Sequence, residues 1–175
     1  MSRQIKEEKD YECRKPVICP EPEHPLPKPV LFECGNGGGF TYSAKTYCGK
    51  ENNAICVCTP KTIANVNIDT ARLYKPKIKV EFSSIIHFIP ENYGHAQLEF
   101  DLVRCCKDFP ECVIGTWTYE VEEDDKSAIS FCFNYCDLSA FPGLCTYLVK
   151  IRPVLVRDAT ICVTNCQLAI FAQDN

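Results

Sequence analysis

Lys77-Ile78-Lys79-Val80-Glu81-Phe82-Ser83-Ser84-Ile85-Ile86-His87-Phe88 is the stretch that decides the fold. Successive side chains of an extended chain point to opposite sides. Ile78, Val80, Phe82, Ser84, Ile86 and Phe88 therefore share one face. Lys77, Lys79, Glu81, Ser83 and His87 share the other. One apolar and one polar face is the pattern of a strand half-buried in an antiparallel sheet.

The same period of two recurs outward from this segment. It predicts strands near 40–47, 54–58, 62–69 (Ala64, Val66 and Ile68 inward), 96–104 (Leu98, Phe100 and Leu102 inward) and 112–121 (Val113, Trp117, Tyr119 and Val121 inward). Further strands follow near 127–136 (Ile129, Phe131, Phe133 and Tyr135 inward), 144–156 and 158–172. Turn chemistry separates them: Tyr74-Lys75-Pro76, Pro90-Glu91-Asn92-Tyr93-Gly94, Asp108-Phe109-Pro110, Glu122-Glu123-Asp124-Asp125 and Phe141-Pro142-Gly143. About eight or nine such strands suit an all-β, antiparallel two-sheet sandwich, with a jelly roll first and an immunoglobulin-like sandwich second. Phe82, Phe100, Trp117, Phe131 and Phe133 are the expected core aromatics.

This body is assigned to residues 34–175. Residues 1–33 read as an extended arm, with half of the twelve prolines at Pro16, Pro20, Pro22, Pro25, Pro27 and Pro29. Proline at that density favours polyproline II, which over this segment reaches roughly 40 Å. The arm also carries Cys13 and Cys19, which a mere spacer does not need. Gly35-Asn36-Gly37-Gly38-Gly39 lacks the Gly-Lys-Ser/Thr ending of a phosphate loop and reads as a flexible turn.

Fourteen cysteines are the strongest compositional signal. None forms a Cys-x-x-Cys pair, the spacing on which zinc ribbons and knuckles rely, and His24, His87 and His95 lie apart from any cysteine pair. Disulfides are expected, with no metal and no cofactor. Strand alternation turns Cys112, Cys132, Cys136, Cys162 and Cys166 to the outer surface. Cys145 goes inward with Tyr147, Val149 and Ile151 as an unpaired core thiol. Cys132 and Cys136, like Cys162 and Cys166, stand four apart on a strand, roughly 13 Å. A disulfide needs Cα atoms within about 7 Å. Each must bond to another strand, segment or molecule. Cys105 and Cys106, being adjacent, point to opposite faces and can join different partners. Cys34, Cys48, Cys56, Cys58, Cys105, Cys106 and Cys112 are the further disulfide candidates.

The first ten residues have no apolar core of the kind a secretory signal needs. Abundant cysteine without a signal has three readings: a signal already cleaved, thiols that stay reduced, or a protein made in a cytoplasm and oxidised after release, as when the mother cell of a sporulating bacterium lyses; the third is the expectation here. The charge of -4 and pI near 5.4, with no basic run, argue against nucleic-acid binding. No stretch approaches the ~20 apolar residues of a membrane span. Three scattered histidines give no cysteine nucleophile a partnered base, so no enzyme is expected.

The stretch Cys58-Thr59-Pro60-Lys61-Thr62-Ile63-Ala64-Asn65-Val66-Asn67-Ile68-Asp69-Thr70, followed by Phe82-Ser83-Ser84-Ile85-Ile86, resembles a cysteine-rich clostridial family of uncharacterised proteins. The plan of cysteine-bearing arm plus β-sandwich is similar to the jelly-roll subunits of bacterial endospore appendages, which are pilus-like fibres. That resemblance implies a self-assembling structural subunit on the spore surface or outside the cell, joined head to tail as a homopolymer. Cys13 and Cys19 would be the connector cysteines and Cys162 and Cys166 the receivers, with Cys132 and Cys136 as further intermolecular candidates. A spore-surface anchor protein is a further partner implied. The chain departs from the plan in its longer, proline-rich connector and its many more cysteines. A cysteine-rich coat or exosporium lattice protein and a carbohydrate- or receptor-binding sandwich are the alternatives. The second would use Tyr42, Tyr47, Tyr74 and Tyr93 as a stacking surface.

Overall fold

The computed structural model describes residues 28–43, 59–107 and 109–174. Among these the chain forms seven strands and no helix: β1 (Val30–Asn36), β2 (Phe40–Ser43), β3 (Lys61–Asp69), β4 (Lys77–Cys106), β5 (Cys112–Glu123), β6 (Ser127–Asp137) and β7 (Leu144–Gln173). All pairings are antiparallel and all belong to one hydrogen-bonded sheet. The all-β antiparallel expectation is met.

Two of the strands are 30 residues long. β4 and β7 pair with each other from Lys77↔Gln173 to Cys106↔Cys145. The breaks expected near Pro90–Gly94 and Asp158 are bends within these strands. Extra residues of β4 bulge out between Pro90 and His95, and Asp158 takes a left-handed φ of 48°. Gly94 sits where a Cβ would lie 2.9 Å from the Asp158 carbonyl oxygen and 3.0 Å from the Phe88 ring, so only glycine fits the bend.

The bends fold the sheet onto itself. One half holds β6, the first part of β4, the second part of β7, and β1 with β2. The other holds β5, the second part of β4, the first part of β7, and β3. Phe82 and Phe100, both on β4 but on opposite sides of the bend, meet with ring centroids 6.1 Å apart. The core between the halves is the alternation made solid. Ile78, Val80, Phe82, Ser84, Ile86 and Phe88 are all buried, as are Ala64, Val66, Ile68, Leu98, Phe100 and Leu102.

The two open sides close differently. On the β5/β6 side Trp117 stacks on Phe133 at 3.8 Å, and Phe100 on Phe131 at 4.4 Å. Phe133 is buried, while Trp117 and Phe131 are only half-buried because they sit at this seam. Val113 and Ile129, expected inside, are exposed. A register shift between Leu102 and Val103 displaces Val113, and Ile129 lies near the start of edge strand β6. On the other side β1 crosses β3. A Cβ on Gly37 would lie 1.7 Å from the Ile63 carbonyl oxygen, and one on Gly35 3.0 Å from that of Asn65. The glycine run is thus a tight crossing, anchored by the Gly37 N–H donating to the Cys166 carbonyl at 2.7 Å. Val30–Asn36 pairs with β7, so the sheet begins before the arm–body boundary expected at 33/34.

Candidate functional site

The outer face of the half built from β1, β7, β4 and β6 carries the thiols. Read across the strands, one row is Phe32–Phe171–Lys79–Cys136, the next Cys34–Ala169–Glu81–Asn134, and the next Asn36–Gln167–Ser83–Cys132. Farther along, Thr41, Cys162, His87 and Ala128 are aligned. Small side chains in the middle (Ser83, Ala169) leave a depression of about 560 Å³, with Cys34 on one flank and Cys132 on the other. Cys34, Cys132 and Cys136 are exposed and Cys162 is half-buried. Three strand spacings separate β1 from β6, roughly 14 Å. These four thiols are therefore too far apart to bond to one another, and none has a disulfide partner among the described residues. Outward orientation holds for Cys132, Cys136 and Cys162; Cys112 is exposed, but the register shift between Leu102 and Val103 sets it opposite Arg104, on the inner-face side at the sheet's end rather than on the outer surface.

Cys166 is the correction. It is buried, 1% exposed, on the inner face with Leu168, Ile170 and Ala172. Asn165 adopts a left-handed φ of 53°, and the β4–β7 register slips between Ser83 and Ile85. One extra residue in β7 reverses every side chain after it. Burial pushes the Cys166 thiol's pKa up, which keeps it protonated and unreactive.

Cys145 is the second correction. It is buried, as expected, but bonded to Cys106 across the β4–β7 ladder, with Cα atoms 4.1 Å apart. Neighbouring Cys105 stays out of this bond, so the two adjacent cysteines do serve opposite faces. Burial, followed by the Glu111 carboxylate 3.8 Å away, raises the Cys105 pKa. Cys112, exposed, lines a small cleft with Cys106, Phe109 and Phe141. Cys13, Cys19, Cys48, Cys56 and Cys58 lie outside the described residues, and so does Tyr47.

The same end of the molecule holds a cluster with no cysteine in it. Asp137, at the end of β6, is buried. Its Oδ2 accepts from Arg104 Nη1 at 2.5 Å and from the Tyr147 hydroxyl at 2.8 Å; its Oδ1 accepts from the Ser139 N–H and hydroxyl. Arg104 and Tyr147 belong to the other half of the sheet, so this carboxylate ties the halves together. Charged residues at alternating strand positions look like solvated faces in a sequence, and only the fold brings these together. Of the histidines, His87 Nε2 lies 3.1 Å from Thr164 Oγ1 and His95 Nε2 lies 2.8 Å from Glu120 Oε1. Among the described residues no three His, Cys, Asp or Glu side chains gather as metal ligands, and no helix is long and apolar enough to cross a membrane.

No curated protein matches the chain. Among solved structures, a chain of the T13 IBDV viral particle is similar over 91% of this chain at 11% identity, with a TM-score of 0.37. This chain spans 39% of that one's length. A likeness so slight carries no argument about fold or function. Residues 28–173, nearly all of the folded body, match the family described as Domain of unknown function (DUF4489), and the chain belongs to that family.

Proposed function

We propose that this protein is a structural subunit of a self-assembling, disulfide-cross-linked polymer. The observation that carries the reading is the outer face bearing Cys34, Cys132, Cys136 and Cys162, four thiols out of one another's reach. Thiols held apart in this way can form disulfides only with another segment or another molecule. Cys13 and Cys19, on a proline-rich segment roughly 40 Å in reach, are suited to bond a neighbour's face. Cys132, Cys136 and Cys162 are the receivers in this reading. Cys166 is not, because it is buried. The assembly is a pilus-like fibre of the endospore-appendage kind, oxidised outside the cell or on the spore surface.

The test is to oxidise the full-length chain in air and compare non-reducing with reducing gels. A ladder of covalent multimers that collapses with reductant is expected, and peptide mapping should place Cys13 or Cys19 in inter-chain bridges. A chain that stays monomeric after full oxidation overturns the reading. So does a Cys13→Ser, Cys19→Ser variant that polymerises as the wild type does.

A further inference from the structure

The folded sheet has two unlike ends. At one, β4 and β7 bend and β5 turns into β6. At the other lie the strand termini and the loops 70–76, 107–111 and 138–143. Five of the eleven exposed large apolar side chains among the described residues gather at this second, open end: Tyr74, Phe109, Leu138, Phe141 and Leu144. Leu138 is 74% exposed and Tyr74 71%. Phe109 and Phe141 stack face to face at 5.2 Å from two different loops, so the patch is built rather than incidental. Solvent-exposed apolar groups clustered in this way mark an interaction surface.

The charges say what covers it. Around the patch stand Lys28, Arg72, Lys75, Lys77 and Lys107, all exposed, against Asp69 and Asp174. Glu111 and Asp137 at this end are already paired with Lys150 and Arg104. The bend end is the reverse. Glu122, Glu123, Asp124, Asp125 and Asp158 are exposed there against Lys126 and Arg157, with Tyr93 and Ile89 as exposed apolar groups. Opposite fields on opposite ends attract in one orientation and repel in the other two.

We infer that the open end of one copy docks on the bend end of the next, Phe109, Phe141 and Leu138 packing against Tyr93 and Ile89 inside a ring of lysine–carboxylate contacts. The inference rests on the polymer reading above and names its noncovalent contact. A contact between unlike ends of identical copies is heterologous and repeats without closing unless a rotation brings it round. It sets the polarity of the assembly before any disulfide forms.

The experiment uses the full-length chain held in reductant, so that no disulfide contributes, with mass followed by sedimentation as salt is raised. The wild type should self-associate at low salt and dissociate on going to about 0.5 M, where screening is strong. An Asp124→Lys, Asp125→Lys variant has two basic ends and should be monomeric. A Lys75→Glu, Lys77→Glu variant has two acidic ends and should be monomeric too. Mixed, the two variants should associate again, since each then offers the end the other lacks. Circular dichroism of each variant confirms the fold at these exposed positions. A wild type that is monomeric at low salt overturns the inference, as do variants that associate unmixed. Cross-links tying Lys6 or Lys9 to Lys75 within a monomer would hand the patch to the chain's own leading segment and overturn it as well. Covalent ladders on oxidation are scored separately. Ladders that form equally in wild type and charge variants sink the end-to-end contact and leave the polymer reading standing.

Discussion

Arg104 Nη1 lies 2.5 Å from Asp137 Oδ2 across the two halves of one folded sheet. Asp137 is 1% exposed at its side chain and Arg104 14%, so this pair is screened little by water. Removing one partner leaves the other charge buried and alone. Asp137→Asn should therefore cost about 3–5 kcal/mol, read as a lowered urea midpoint with an unchanged slope. A loss below about 1 kcal/mol would mean the pair behaves as a surface contact.

Tyr147 adds a pH dependence. Burial first, and the Asp137 carboxylate second, push its hydroxyl far above the usual 10. The folded pKa exceeds the unfolded one, so the contribution is whole below about pH 10 and is lost as pH climbs past it. Tyr147→Phe should lower stability by about 1–2 kcal/mol at neutral pH and flatten the alkaline limb of the stability curve. An alkaline limb unchanged in the variant would assign that loss to other groups.

The Cys106–Cys145 bond spans a sequence separation of 39 and joins the ends of the two longest strands. A loop of that size predicts about 3–4 kcal/mol of stabilisation. A Cys106→Ala, Cys145→Ala variant should lose that amount and, unlike the wild type, show no further loss from this bond on adding reductant. The measurement is the denaturation midpoint of both chains with and without reductant.

Gly37→Ala should be among the most damaging single methyl additions. The new carbon would fall 1.7 Å from a backbone oxygen of Ile63, which cannot rotate away as a side chain would. Prising β1 from β3 should cost about 1–3 kcal/mol or more and speed amide exchange in β1 and β2. Gly38→Ala, with nothing within 4 Å, is the control and should fold as the wild type does.

Alkylation of the reduced, folded chain should rank the thiols by exposure. Cys34, Cys112, Cys132 and Cys136 should label first, Cys162 later and Cys166 last, with about a hundredfold between the first and the last. Peptide mass mapping over time gives the order. Early labelling of Cys166 would put it back on the outer face and remove the bulge at Asn165.

What the sequence disclosed and what it hid divide along one physical line. The alternation Ile78 to Phe88 is local, and each of its six inward residues is buried. Cys166 was placed on the wrong face because one left-handed residue, Asn165, inserts a step that no hydrophobicity pattern marks. Pro90 to Gly94 carries every sign of a turn, yet the chain leaves it still paired with β7, so two expected strands are one. The Cys106–Cys145 bond and the Arg104–Asp137–Tyr147 cluster depend on which residues stand opposite each other across the ladder, and that register is set by the whole sheet. The outer-face thiols were legible where the alternation ran unbroken, at Cys132, Cys136 and Cys162.

The central ribbon also dictates the order in which the molecule can be made. Among the described residues β1, β2 and β3 have no ladder partner except β7, and β4 needs it along nearly its whole length. β7 is the seventh of the seven strands to leave the ribosome. Until it emerges, three strands have no sheet to join, and pairings such as Lys77↔Gln173 wait across most of the body's length. β5 and β6 can pair with β4 as they emerge, but the sheet cannot be completed before β7. Long-range pairing of this kind is slow to form, and until the final strand arrives the apolar faces of β1, β2 and β3 lack the sheet that buries them.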